Sequence, residues 1–419
     1  MKVIRPASGE YRRLAQHNMM ADKRVVSRVR AIIDDISENG DTALLEYTKK
    51  FDKVVLKQKE IKVSEREISA SFQNMDSSLI LAIKAAIDSA ADFYKQQMPL
   101  NFRSKTDNGK ILEERYVPVE RVGIYVPAGQ APLVSTVYNC AVPAIVAGVK
   151  EIVLVSPPDK SGFVNPFILA TASMLKISEI YKAGGAQAVA ALSLGTKTIK
   201  KVDMIVGPGN EYVTEAKRQV YGSVGIDMLA GPSEVVIVAD GHNNPAYIAA
   251  DLRAQTEHHR GLGVVVVIDS DKLVNDLKNI DIPGGYIISV KTREEAQAVV
   301  NELAPEHLEI LIDGARNFLK DIRNAGAVFI GESTPVALGD YVAGPSHVLP
   351  TACTAKFSSG LSVHDFLKRI HVVEYNRKAL LHDAQTLEKI CGLEGMVMHL
   401  ESVLVRLGRS TESNKSEGT

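Results

Sequence analysis

The sequence contains no tryptophan, and its 13 tyrosines and 10 phenylalanines leave aromatic residues at 5% of the chain. So few rings argue against a stacking platform for single-stranded nucleic acid, which holds bases on aromatic faces. Three cysteines, Cys140, Cys353 and Cys391, stand far apart without paired spacing. They offer neither a disulfide framework nor a cysteine-type zinc site. Neither sign of charge is in excess: 49 basic residues against 50 acidic ones give a net charge of −1. That balance carries no electrostatic footprint for nucleic acid or an anionic membrane. No run reaches the ~20 apolar residues needed to cross a bilayer. The opening Met1-Lys2-Val3-Ile4-Arg5-Pro6 lacks the apolar core of a signal peptide. What remains, 45% hydrophobic and 24% charged, is ordinary for a soluble globular protein, and the cytoplasm is the expected compartment. At 419 residues the chain exceeds one ordinary core, so two or three domains are expected.

Residues 1–100 read as helical. Over 22–37, Val25, Val26, Val29, Ile32, Ile33 and Ile36 fall on one helical face. Asn39-Gly40-Asp41 ends that helix and caps the next, over 42–50. Ser64-Glu65-Arg66-Glu67 has the spacing of a capping box, and another helix is expected over 77–98. No catalytic constellation appears in this part. From about residue 110 the texture changes. Short apolar strands at 111–117, 121–127, 151–156, 204–206, 234–239 and 263–268 are interleaved with helices at 163–175, 188–194, 211–221, 244–257 and 293–302. A further helix is expected at 318–324 and a strand at 327–330. This alternation predicts parallel sheet covered on both faces.

Such sheets bind ligands at the carboxyl ends of their strands. Turns around Gly129, Gly185 and Gly209 fall at strand-to-helix positions, where backbone N–H groups can hold phosphate oxygens. No Gly-x-Gly-x-x-Gly follows any strand, so a standard dinucleotide fingerprint is missing. Pro305-Glu306-His307 places side by side the two side chains most used to move protons near neutral pH. Taken alone, such a dipeptide is ordinarily a helix end stopped at a surface Glu-His, since most such pairs do no chemistry. Gln255 and His258, three apart, would share a helix face. A zinc site needs three or four ligands, and spacing alone also describes a polar helix terminus. Ser233 stands at an Ala-Gly-Pro-Ser corner before a strand. Residues 339–350 read as a loop dense in Gly and Pro that carries Asp340 and His347.

Together these motifs resemble the histidinol dehydrogenase family over nearly the whole chain. The matching pieces are Arg121-Val-Gly-Ile-Tyr-Val-Pro, Gly207-Pro-Gly-Asn, Gly225-Ile-Asp-Met-Leu-Ala-Gly-Pro-Ser-Glu, Gln255-Thr-Glu-His, Ala304-Pro-Glu-His-Leu-Glu and Gly339-Asp-Tyr, followed by His347-Val-Leu-Pro-Thr. Phe357-Ser-Ser-Gly-Leu-Ser-Val and the Glu394–His399 pair extend the match to the tail. The resemblance implies an α/β fold of two incomplete Rossmann-like lobes, with a helical N-terminal region and a small C-terminal dimerisation segment. One lobe would comprise 1–119 plus 235–350, an NAD-side lobe 120–234, and the dimerisation segment 351–419. It implies one zinc ion per subunit held by Gln255, His258, Asp340 and His399, and NAD near Tyr125, Gln187 and Asn210. Substrate would be held by Ser233, His347 and Glu394 together with Gln255, His258, His307, Asp340 and His399. Glu394 and His399 would reach the site from the partner subunit of a homodimer. The implied reaction is the four-electron oxidation of L-histidinol to L-histidine, with His307 as base and Glu306 activating water. Two other readings stay open on sequence: a paralogue oxidising another primary alcohol, and a non-catalytic metal- or nucleotide-binding homologue.

Overall fold

The computed structural model describes residues 1–6, 8–16, 22–128, 132–257 and 261–410. It forms two compact units, Met1–Met98 with Val119–Phe366, and Pro99–Pro118 with Leu367–Thr419. The first unit holds two parallel sheets. One has five strands, in spatial order Glu179–Lys182, Glu151–Ser156, Arg121–Tyr125, Met204–Val206 and Gly225–Ile226. The other has six, in the order Lys2–Ile4, Gly285–Val290, Leu262–Ile268, Glu234–Asp240, His307–Ile310 and Ala327–Ile330.

Period-two alternation sorts the six-stranded sheet into two cores. Val236, Val238, Val264, Val266, Leu308 and Ile310 face one way, toward helix Arg293–Leu303. Val235, Ile237, Val265 and Val267 face the other, toward Ile248 and Leu252 of helix Pro245–Thr256. Register pairs His307 with Val235 and Glu309 with Ile237, so both polar side chains share the second face. In the five-stranded sheet, Val153, Val155, Tyr125 and Ile205 pack with helices Lys23–Asn39, Gly185–Leu194 and Glu211–Val220. The helix expected over 22–37 therefore forms, and its apolar stripe packs into the core of the 120–234 lobe.

Several local expectations differ from the fold. Lys2–Ile4, inside a region read as helical, is an edge strand. Its pairing with Gly285–Val290 is supported by the terminal ammonium, which donates to Lys278 O and Ile280 O; a partner that remote leaves no local signal. The helix expected over 163–175 begins at Pro166, because Asn165 caps it and proline suits the first turn. The helix expected at 318–324 spans Ala315–Leu319. The capping box forms in full: Ser64 Oγ accepts from Glu67 N at 3.2 Å, and Glu67 Oε2 accepts from Ser64 N at 2.9 Å.

In the second unit, Phe102–Lys105, Lys110–Pro118 and Leu367–Tyr375 form an antiparallel sheet, followed by helices Arg377–Glu394 and Val397–Leu404. Residues 99–118, grouped on sequence with 1–98, lie here because Lys110–Pro118 pairs along its whole length with Leu367–Tyr375. Ile370, Val373, Leu381, Leu393 and Met398 are exposed apolar side chains of this unit. Among the described residues, no helix is long and apolar enough to cross a membrane.

Candidate active site

A cavity of about 290 Å³ in the first unit is walled by both sheets. Pro127, Pro208–Asn210 and Ala230–Ser233 reach it from the carboxyl ends of Arg121–Tyr125, Met204–Val206 and Gly225–Ile226. Glu306 and His307 reach it from the amino end of His307–Ile310. The rule that ligands sit at strand carboxyl ends thus describes one lobe only, while the acid–base pair belongs to the opposite edge of the other.

Both members of the pair are buried. Glu306 Oε2 accepts the backbone N–H of Glu234 at 2.8 Å and lies 3.6 Å from His307 Nδ1. His307 Nδ1 also lies 3.1 Å from Glu234 O, a backbone acceptor. In the neutral imidazole that bond puts the proton on Nδ1 and leaves Nε2 as the basic atom. Nε2 has no hydrogen-bond partner among the described residues and lies 3.6 Å from Asp340 Oδ1, just beyond bonding length. Burial pushes the Glu306 carboxyl up to about 7, against the pull of the neighbouring imidazole. Burial disfavours charge on His307 as well, but Glu306 and Asp340 outweigh it and raise the imidazole to about 9.

Asp340 is in a short helix, Val336–Tyr341, where the sequence suggested loop. Gly339 makes that seat possible, since a Cβ there would lie 2.5 Å from the Phe329 ring. Phe329 in turn packs beside His307, ring centroids 6.0 Å apart. His347 lies in the loop that follows. Its Nδ1 is 3.2 Å from Asp340 O and 3.4 Å from Asn139 Nδ2, and its Nε2 is 3.3 Å from Thr136 Oγ1.

Three carboxyl groups that sequence reasoning passed over support the site. Glu234 is buried, takes the Ala352 N–H at 3.0 Å, and is pushed up by burial to about 7. Glu309, fully buried, accepts Val336 N–H at 3.0 Å, and its carboxyl interacts with that of Asp251. Burial, with Asp251 next, pushes Glu309 up to about 8, and burial raises Asp251 as well. Through Asp251 and Val336, the buried Glu309 thereby ties together helix Pro245–Thr256, strand His307–Ile310 and the start of the Asp340 helix. A glutamate amid an apolar strand was the signal available for it.

The cavity brings together Ser233, Asn210, Glu306, His307, Asp340 and His347. Tyr125 and Gln187 are buried off its wall: Tyr125 Oη accepts the Gly185 N–H at 3.1 Å, and Gln187 Nε2 has no partner among the described residues. Asn210 caps helix Glu211–Val220, its Oδ1 accepting from Tyr212 N and Val213 N. Gln255 is buried near the end of helix Pro245–Thr256, which packs against the Asp340 helix, and its Nε2 also lacks a partner among the described residues. His258 and His259 lie outside the described residues. Glu394 and His399 belong to the second unit. No group of three or more His, Cys, Asp or Glu placed to hold a metal ion occurs among the described residues. The Asp340 carboxylate and the amide oxygen of the buried Gln255, on packed neighbouring helices, are oxygen donors that fit part of a nitrogen–oxygen zinc set, whereas Gln255 Nε2 is an N–H donor and binds no metal.

Comparison with known proteins matches residues 15–407 to the family described as histidinol dehydrogenase. Histidinol dehydrogenase of Carboxydothermus hydrogenoformans is 44% identical over 92% of this chain and 95% of its own. That of Clostridium acetobutylicum is 42% identical over 94% and 95%. The crystal structure of histidinol dehydrogenase from Elizabethkingia anophelis superposes with a TM-score of 0.90 at 36% identity, covering 97% of this chain and 98% of that one. Sequence and fold agree, and the chain belongs to the histidinol dehydrogenase family of oxidoreductases.

Proposed function

We propose that this chain oxidises L-histidinol to L-histidine through L-histidinal, the closing steps of histidine biosynthesis, as a zinc- and NAD-dependent cytoplasmic homodimer. The observation that carries the reading is the buried Glu306–His307 pair, with a free imidazole Nε2 beside Asp340 on a cavity wall. Gln255 and Asp340, with His258 and the His399 of a second copy, would hold the metal. When bound, zinc serves mainly as a template for the substrate's amine and imidazole nitrogens, and NAD accepts the hydride of each step. Asn210, Tyr125 and Gln187 would border the cofactor; Ser233, His347 and the second copy's Glu394 would orient the amino alcohol.

His307 Nε2 takes the hydroxyl proton as the first hydride leaves carbon, giving the aldehyde. Glu306 then removes a proton from water as its oxygen adds to the carbonyl, while His307 returns its proton to the carbonyl oxygen and is neutral again. The resulting hydrate loses its second hydride, with His307 receiving the hydroxyl proton. In sum, alcohol, water and two oxidised cofactors give carboxylate, two reduced cofactors and three protons. The walls of the cavity keep the reactive aldehyde in place between steps.

Zinc content measured with the NADH yield per histidinol consumed tests this reading. Two NADH per histidinol and one zinc per subunit are expected. Turnover of other primary alcohols but not histidinol would replace it with the paralogue, and bound zinc without NADH formation with a non-catalytic homologue.

A further inference from the structure

Lys217 of helix Glu211–Val220 and Asp227, just after strand Gly225–Ile226, form an ion pair with both side chains almost wholly excluded from solvent. Neither is used by the chemistry above. Buried ion pairs are poor stabilisers, because desolvation offsets most of their attraction and apolar replacements often do as well. A reason for this one lies in its other bonds, which go to loop backbone. Lys217 Nζ donates to Gly207 O at 3.1 Å, and Asp227 Oδ2 accepts from Gly207 N at 2.8 Å. Both polar groups of residue 207 are therefore taken by the pair. Asp227 Oδ1 accepts from Met228 N at 2.6 Å. One turn earlier on the same helix, Thr214 Oγ1 donates to Ala230 O at 2.9 Å.

The two segments held in this way are the ones that wall the cavity from the first sheet. Pro208–Asn210 follow the first, and Ala230–Ser233 belong to the second. Gly207 has φ of +114°, and a Cβ there would lie 2.2 Å from Tyr125 O. That conformation has to be held by bonds to its peptide groups, since it presses against the neighbouring strand.

We propose that Lys217 and Asp227 are positioning residues: a buried splint that fixes the 207–210 loop, bordering the cofactor, in register with the 228–233 loop, bordering the substrate. The cofactor part of this statement rests on the reading given under Proposed function. The pair touches neither ligand and acts through the two backbones, so its loss moves both loops at once.

The test replaces the pair with apolar groups, Lys217→Met together with Asp227→Leu, which leaves no unpaired charge. Lys217→Gln together with Asp227→Asn, close in shape and without charge, is the milder second variant should the first one fail to fold. Amide hydrogen exchange on the ligand-free protein is the first readout. Faster exchange is expected in peptides covering both 207–210 and 228–233, with the strands of the six-stranded sheet unchanged. The second readout is NAD binding by titration calorimetry, expected to weaken about tenfold or more, as for loss of a charged hydrogen bond. Unchanged exchange in either loop overturns the splint, and loosening of both loops with NAD affinity intact overturns the placement of the 207–210 loop beside the cofactor. Failure of the unsubstituted protein to bind NAD would instead overturn the cofactor reading, while the exchange result still judges the splint.

Discussion

At the residue scale, Glu306 and His307 compete for protons in one buried space. With the imidazole raised to about 9 and the carboxyl to about 7, His307 holds its proton at neutral pH. A base must first lose it. Alcohol oxidation is therefore expected to accelerate as pH rises toward 9, the neutral imidazole fraction growing through its own pKa. A dication beside Asp340 would bring that rise to lower pH. The dependence of kcat on pH, with histidinol and NAD saturating, checks this; a fall across pH 7 to 9 contradicts it. Glu306→Gln removes the group assigned to water while keeping the acceptor for Glu234 N–H. The aldehyde half-reaction should slow by ~10²–10⁴, the range for loss of a general base, and alcohol oxidation by much less. Equal losses, measured with histidinol and histidinal separately, would count against the division of labour.

At the element scale, the site depends on how strands and helices meet. Glu309 and Asp251 join strand His307–Ile310 to helix Pro245–Thr256, and Glu309 holds the start of the Asp340 helix. Glu309 is raised by burial to about 8 and Glu234 to about 7. Each binds its proton more tightly folded than unfolded, so its contribution is fully present below the unfolded pKa near 4.5 and is lost as pH climbs through the folded value. Denaturant titrations of the metal-free protein should accordingly show stability falling between about pH 5 and pH 8, and Glu309→Gln should flatten that slope. Gly339→Ala sets two effects against each other. Helix propensity favours alanine by about 1 kcal/mol. A Cβ 2.5 Å from the Phe329 ring brings an overpacking cost of about 1–3 kcal/mol, and that effect wins. We expect lower stability and weaker zinc retention against a chelator, because the shifted residue is next to Asp340. Unchanged retention would mean that the Asp340 helix absorbs the methyl group.

Much at this scale was legible in the chain. The amphipathic helix at Lys23–Asn39, the capping box at Ser64 and the buried valine strands carry local patterns, and the structure contains them. The edge strand Lys2–Ile4 and the helical setting of Asp340 were not legible. Three residues of strand depend on a partner nearly three hundred positions away, and Gly-Asp-Tyr adopts helix because Glu309 caps its start and Gly339 leaves room for the Phe329 ring.

At the scale of the whole molecule, Gln255 and Asp340 lie in the first unit and His399 in the second. The proposal that the partner's copy of His399 completes each site predicts complementation. Glu306→Gln and His399→Asn proteins, each deficient alone, are denatured together and refolded as an equal mixture. Roughly a quarter of wild-type activity should return if sites are shared: half of the dimers are mixed, and each mixed dimer has one intact site of two. If each chain completes its own site, no intact site forms and no activity returns.

The sequence by itself determined the class of fold and the family, and it singled out Glu306 and His307 as the pair proposed to handle protons. Alternation of short apolar strands with helices, and long motifs in a fixed order, are properties of the chain read along its length. Only the tertiary structure decided which edge of which sheet carries the pair. It also revealed that Glu234, Glu309 and Asp251 stand behind the pair, and that Lys217 and Asp227 fasten the two loops across the cavity. Burial, register and the distance between groups remote in sequence set those relations, and no local spacing encodes them.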